Sequence, residues 1–306
     1  MNDWPWRSPE ATRQALTERI GARFEPAARN RRLAEIAFRR LLFRLFTAQS
    51  DRWVVKGGAA LLLRLDPNRT SNDIDLAYVD EAGEHAVALK ALREAIALDA
   101  GDFFSFEVGT GRMVDPEHAI ERAFSVPVVA RLGAREFARF SVDLALPQIV
   151  VDVERVEASP ALTGAAAVDE LPPLQVLSFA SQVADKVCAM FERHGADATF
   201  SSRARDLADI AMIAAQVDFD GARLEERLRA EETRRIEAGT LLAALPAALV
   251  LPDDQARDWR ARWRHATRNA PIEFAAALVA ASAFLDPVLS GRVGGLRWRA
   301  DTQSWS

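Results

Sequence analysis

The chain predicts a mixed α/β half followed by a helical half, and three observations carry that reading. Up to about residue 150, short apolar runs alternate with longer segments of helical spacing, and Gly, Pro, Asn or Asp closes most of them. From Leu174 onward nearly every window carries apolar residues at three- and four-residue intervals, with Pro246, Pro252 and Pro271 as punctuation. No internal repeat or low-complexity stretch interrupts either half. The expected division is 1–160 and 161–306, joined through Ala158 to Pro173.

Taken in order, residues 9–49 read as two helices interrupted between Gly21 and Pro26. The second carries Leu33, Ala37, Leu41 and Leu45 on one stripe, with Arg29, Arg31, Arg32, Arg39, Arg40 and Arg44 expected outside it. Trp53 to Val55 is a short strand entering a diglycine turn, Ala59 to Leu65 a helix, and Pro67 with Asn68 the loop before a strand that starts near Asp73. A helix over 82–98 precedes three strands, Phe103 to Val108, Phe124 to Leu132 and Glu136 to Leu146.

Composition bounds the classes of function. A chain of 306 residues, 49% apolar and 27% charged, can bury a sizeable core and has the make-up of an ordinary soluble protein. The start, MNDWPWRSPE, lacks a basic region followed by an apolar stretch, and no segment approaches the roughly eighteen apolar residues of a membrane span, so a cytoplasmic protein without membrane contact is expected. Cys188 falls on an apolar helical stripe with Val183, Ala184, Val187 and Phe191 and reads as a buried core thiol. The net charge of −5 does not advertise nucleic-acid binding, yet residues 1–70 hold fourteen Lys or Arg against seven Asp or Glu. Arg257, Arg260, Arg262, Arg264 and Arg268 interleave with Trp259 and Trp263. Both stretches suit phosphates, and the tryptophans suit stacked bases.

The most informative segment runs from Lys56 to Leu76, where Gly57 and Gly58 stand a short helix ahead of Asp73 and Asp75. On a strand, carboxylates spaced i, i+2 share a face, while Ile74 and Leu76 take the other. Two such acids repel unless a cation lies between them, and oxygen ligands suit a divalent metal. A third carboxylate would complete a site for phosphate chemistry. Asp143, flanked by Val142 and Leu144 in the longer strand, is preferred over Asp152 in its similar setting. Gly57 and Gly58 let a backbone approach phosphate at a helix start, and Lys56 and Arg69 flank them as cations. Ser71 would share the metal face if the strand begins there.

Further along, Lys186 lies beside the stripe Val176, Ala180, Val183 and Val187, in line with Gln182, Met190 and Arg193, where a lysine reaches a nucleotide without leaving a packed helix. Asp206 and Asp209 form an i, i+3 pair, with an Arg205–Asp209 ion pair as the bland alternative. His85, His118, His194 and His265 make no metal spacing.

These two blocks resemble a known family. Gly-Gly, a helix and Asp-x-Asp on a strand are similar to the nucleotidyltransferase superfamily of DNA polymerase β. Lys56-Gly57-Gly58 with Leu61, then Arg69-Thr70-Ser71-x-Asp73-Ile74-Asp75-Leu76, and later Lys186, Arg193 and Arg205-Asp206-x-x-Asp209, resemble its AbiEii/AbiGii toxin branch, which includes the mycobacterial nucleotidyltransferase toxins. Ala59 follows the diglycine where the superfamily more often has a Gly-Ser turn, and Gly58 and Asp73 are further apart than is usual there. The resemblance implies a polymerase β-like core with a mixed sheet, and an enzyme that moves a nucleoside monophosphate from a nucleoside triphosphate to an acceptor hydroxyl. Mg²⁺ would sit at Asp73, Asp75 and Asp143. Lys186 would contact triphosphate, and Asp206 would organise the site or assist proton removal. Ser71 would contact phosphate or be the residue phosphorylated when such a toxin is silenced. The implied acceptor is RNA, foremost the 3′ end of tRNA, and the implied partner a cognate antitoxin, protein or kinase. Transfer to a protein or to a small molecule such as an antibiotic is the competing activity. A nucleotide-binding regulator without catalysis is the competing class.

Overall fold

Ser8 opens α1 (Pro9–Arg23), its hydroxyl accepting from the Ala11 amide at 3.2 Å, with a proline at the first position, where a missing N–H goes unused. Another proline opens α2 (Pro26–Ala48). The computed structural model describes residues 4–65, 73–80, 83–114, 123–146, 152–158, 161–194, 197–240, 243–267 and 272–306. The chain divides into two units, Met1–Leu177 and Ser178–Ser306.

After α2 the first unit runs through β1 (Trp53–Val55), α3 (Gly57–Arg64), β2 (Asp73–Tyr78), α4 (His85–Ile96), β3 (Phe104–Val108), β4 (Arg112–Val114), β5 (Ala123–Leu132), β6 (Arg135–Ala145), β7 (Val153–Val156), the short α5 (Ala166–Asp169) and β8 (Leu174–Leu177). Among the described residues the strands form one mixed sheet in the order β3-β5-β6-β2-β1-β8-β7, with β4 also on β5. The β2/β6 and β1/β8 pairs are parallel, whereas β1/β2 and β5/β6 are antiparallel. One face is sealed: Ile74, Leu76, Val126, Val142 and Leu144 share a core with Leu41, Leu42 and Leu45 of α2 and Leu92 of α4. Each such side chain contributes roughly 1.5–3 kcal/mol by leaving water. The alternate residues Asp73, Asp75, Ser125, Ser141 and Asp143 are only partly buried, so the other face is open.

Two expectations are corrected in this unit. Leu174–Leu177, read as the opening of the helical half, is a strand between β1 and β7. Its four residues are too few for a period to distinguish helix from strand, and inaccessible Leu174 and Val176 alternate with Gln175. The division therefore falls after Leu177 and not within 158–173. The arginines of α2 are the second correction, because Arg32, Arg39, Arg40 and Arg44 are buried rather than displayed. Arg44 pairs with Asp102 at 2.6 Å and Arg40 with the same carboxylate at 2.6 Å, while Arg32 pairs with Glu35 at 2.7 Å. Arg39 and Arg40 also donate to the Asp169 and Ala167 carbonyls of α5, at 3.4 and 3.3 Å. These guanidiniums hold α2 to the fold and are not a phosphate-binding surface.

The second unit comprises α6 (Phe179–Phe191), β9 (Arg193–His194), β10 (Thr199–Phe200), α7 (Ala204–Ala214), β11 (Phe219–Asp220), α8 (Gly221–Glu237), α9 (Asp253–Ala266), α10 (Phe274–Leu289), β12 (Arg297–Arg299) and β13 (Ser304–Trp305). Ser178 caps α6 and Asp220 caps α8, each accepting a backbone N–H at 3.0 Å. Arg235 of α8 ties α6 in place through Asp185 at 2.6 Å and Glu192 at 2.5 Å. Helices dominate as expected, but β11, β12 and β13 add a small sheet whose Trp298 is inaccessible and donates to the Ala214 carbonyl at 2.7 Å. Cys188 is buried as its stripe predicts, and burial raises its thiol well above the usual range. On α9, Arg257, Arg260, Arg262 and Arg264 are exposed, but Trp259 and Trp263 are buried and donate to the Ser201 and Ile272 carbonyls at 2.8 and 2.7 Å. Those rings are core, unavailable to bases. No described helix is long and apolar enough to cross a membrane.

Candidate active site

The site in the first unit starts where β1 ends. Lys56 leaves the strand with its amide donating to the Asp75 carbonyl at 3.0 Å, and Gly57 turns the chain at φ +56°, a conformation that favours glycine. Space matters as much as dihedral angle here. A Cβ on Gly57 would stand 2.3 Å from Asp75 Oδ2 and 2.7 Å from its Cγ, so only a residue without a side chain lets α3 begin against that carboxylate. The Gly58 amide donates to Asp75 Oδ2 at 3.0 Å. An amide expected to point at phosphate thus points at Asp75, and the positive end of α3 favours the ionised acid.

Parallel pairing of β2 with β6 sets Asp75 opposite Asp143 and Asp73 opposite Ser141. Paired residues on adjacent strands project to the same side, so the three expected carboxylates share the open face. Asp152 has a different position, at φ +61° just before β7, which β8 and β1 separate from β2. Register thus favours Asp143 as the third acid.

The electrostatics follow from this crowding. Burial, and then the neighbouring Asp73, push the Asp75 carboxyl up to about 6, against the pull of the Gly58 amide and Lys56. Burial also raises Asp143, opposed by a hydrogen bond from Ser125, reinforced by Asp73 and opposed again by Arg112. Asp143 Oδ1 is buried and has no hydrogen-bond partner among the described residues. Ser125 is not singled out by the sequence; only the β5/β6 register brings it to Asp143.

Among the described residues, no three His, Cys, Asp or Glu side chains close into a formed metal cage. The donor set nevertheless fits a hard divalent cation: all ligating atoms would be carboxylate oxygens, the Asp75 and Asp143 carboxyls are raised by burial and further by Asp73, and one buried oxygen has no hydrogen-bond partner among the described residues. Arg69 and Ser71, expected beside these acids, lie outside the described residues.

The second unit brings together Lys186, Asp206 and Asp209. Lys186 is buried on α6, and its Nζ donates to Asp206 Oδ1 at 2.6 Å and to Asp209 Oδ2 at 2.7 Å on α7. The i, i+3 spacing does put both acids on one side of the helix, and there they clasp Lys186. Asp206 Oδ2 lies 3.7 Å from Arg203 but makes no hydrogen bond among the described residues.

The family model for the nucleotidyl transferase AbiEii toxin, type IV toxin–antitoxin system, matches residues 40–280. In fold the chain is similar to MenT4, a nucleotidyltransferase toxin from Mycobacterium tuberculosis H37Rv, with a TM-score of 0.56 over 92% of this chain and 98% of that one at 18% identity. JHP933 from Helicobacter pylori is similar over 81% of this chain and 94% of its own at 14% identity, with a TM-score of 0.39 that is too low to bear on function. No curated protein matches the chain in sequence.

Proposed function

From the chain's membership of the AbiEii family of nucleotidyltransferase toxins, which makes it a nucleotidyltransferase with a triphosphate substrate and an antitoxin partner, we propose that it transfers a nucleoside monophosphate to RNA, at the 3′-terminal hydroxyl of tRNA, with Mg²⁺ as cofactor. The observation that carries the chemistry is the register that sets Asp143 beside Asp75 on an open face, with Asp73 one pleat along. The RNA acceptor rests on kinship with the toxin branch.

Asp73, Asp75 and Asp143 would hold the cation, which supplies the positive charge that gathers triphosphate oxygens and the attacking hydroxyl. The protein contributes position. Gly57 and Gly58 fix Asp75 against the start of α3, so that one ligand is oriented before substrate arrives. Lys56 adds a point charge for phosphate at the same end. Asp143 is steadied by Ser125 and keeps Oδ1 uncommitted. In the second unit, Lys186 serves triphosphate by exchanging a carboxylate for a phosphate oxygen. Asp206 is proposed to organise the site or to assist proton removal from the acceptor hydroxyl. Ser71 is proposed as a phosphate contact or a site of silencing by a kinase antitoxin.

Incubating the full-length protein with Mg²⁺, total RNA and each α-labelled nucleoside triphosphate in turn tests this reading. Label in RNA of tRNA size is the expected result. Label on protein or on a small molecule would replace the acceptor, and no label with any triphosphate would overturn the transfer itself.

A further inference from the structure

One transverse row of polar residues crosses the open face of the first unit's sheet. Arg112 of β4 stands opposite Ser125 of β5, Ser125 opposite Asp143 of β6, and Asp143 opposite Asp75 of β2. Directly paired residues share a face, and the register shift between β5 and β6 falls at Ala130/Arg131, outside the row. Past Asp75 the row closes on Lys56, whose amide donates to the Asp75 carbonyl. A pair of acids thus has a cation at each end.

The two ends differ. Lys56 belongs to the turn that builds α3 against Asp75, where the triphosphate is expected. Arg112 sits on the outermost strand of the row, where all three residues of β4 are exposed. Strands are spaced by about 4.8 Å, which places the β4 backbone roughly 14 Å from β2 and roughly 10 Å from β6. The charge of Arg112 acts on Asp143 and is not among the groups that shift Asp75, so the guanidinium lies toward the side away from a triphosphate gathered at the α3 end. It is in line for a phosphate that approaches Asp143 from the opposite side, and a planar fork suits a phosphodiester better than a point charge does.

We propose that Arg112 is the acceptor-side phosphate-binding residue of the transferase, its guanidinium holding a backbone phosphate of the RNA whose terminal hydroxyl is presented at Asp143. This rests on the RNA-acceptor reading above. Arg112 then does for the acceptor what Lys56 does for the triphosphate, and the row from Lys56 to Arg112 sets the direction in which the two substrates meet.

The test compares full-length wild type, Arg112→Gln, Arg112→Lys and the exposed control Lys90→Ala in labelled transfer to RNA and in RNA binding across a salt series. Arg112→Gln should raise the KM for RNA about tenfold with the KM for nucleoside triphosphate within about twofold, and should flatten the salt slope of RNA binding by about 0.7, the loss of one phosphate contact. Arg112→Lys should restore the slope but only part of the KM, since a point charge lacks the fork. Unchanged RNA KM and slope in Arg112→Gln would overturn the proposal, as would a rise confined to the triphosphate KM. If wild type labels RNA normally, either failure falls on Arg112 alone. If wild type labels no RNA, the acceptor reading fails first and takes this assignment with it.

Discussion

Each unit gathers aspartates, and the two gatherings solve the same electrostatic problem in opposite ways. In the first, Asp73, Asp75 and Asp143 line an open sheet face, and their crowding shows as an Asp75 carboxyl pushed up to about 6 by burial and by Asp73. In the second, Asp206 and Asp209 lie one helical turn apart and share the ammonium of Lys186, with all three side chains buried. Carboxylates alone do not announce a role. Where the cation is built into the fold, removing it leaves buried charge behind, so the cluster is also structural. Where three acids share one sheet face, and Asp143 Oδ1 has no hydrogen-bond partner among the described residues, further positive charge from a bound group would relieve the raised Asp75 and Asp143 carboxyls.

The sharpest way to break this contrast is to remove an acid from the open face. Asp73→Ala or Asp75→Ala should lower transfer at least about 10³-fold, equivalent to roughly 4 kcal/mol of barrier, while the thermal midpoint holds or rises because a repulsion is relieved. Labelled transfer and calorimetry on the same preparation check it, and near-wild-type turnover in a folded variant would remove these acids from the chemistry.

Next in size, Lys186→Ala should cost about 3–5 kcal/mol of stability, since it strands two buried carboxylates. Lys186→Met combined with Asp206→Asn and Asp209→Asn should recover much of that loss. Urea unfolding of both variants decides the matter, and a single variant as stable as wild type would mean that the lysine is not holding the helices together.

A pH series sharpens the comparison further. Asp75 has a folded value near 6 against an ordinary 3.8, so between those values the native chain keeps a proton that the unfolded chain has lost. Its contribution is therefore most favourable below the ordinary value and is lost as pH rises to about 6, by at most about 3 kcal/mol. Asp75→Asn should abolish that part of the slope, and saturating Mg²⁺ should offset it at neutral pH by favouring the ionised form. An identical pH dependence of denaturant midpoints in wild type and variant would contradict the crowding. The smallest effect belongs to Lys90→Ala, where an exposed 3.7 Å pair with Glu94 should be worth under about 0.5 kcal/mol in stability and leave transfer untouched.

Much of the first cluster was legible in the chain, because its signals are local. Asp73 and Asp75 announce a strand face by alternation, Gly57 and Gly58 a turn by lack of side chains, and Asp143 a strand acid by its apolar neighbours. Partner choice was not legible. Arg40 and Arg44 look identical to surface arginines until α2 packs against Asp102, 62 and 58 residues away, and nothing in the spacing of α2 points to that carboxylate. Burial alone would raise Asp102, yet the Arg44 and Arg40 guanidiniums outweigh it and hold its carboxyl below the ordinary range. The tryptophans of α9 misled for a related reason: arginine and tryptophan interleaved on a helix fit a base-stacking surface and a buried seam with a solvated back equally well. Ser125 and Arg112 left no trace at all, since a strand pair brings them to Asp143 and a linear sequence does not display pairing.

The placement of β8 bears on how this protein is made. β1, which delivers Lys56 and the diglycine turn, has β2 on one side and β8 on the other, and β8 is not synthesised until residue 177. The strands that align the acids, β2, β5 and β6, are complete by residue 145, whereas a fragment cut at 160 would lack β8 and leave β1 an exposed edge that invites pairing with other chains.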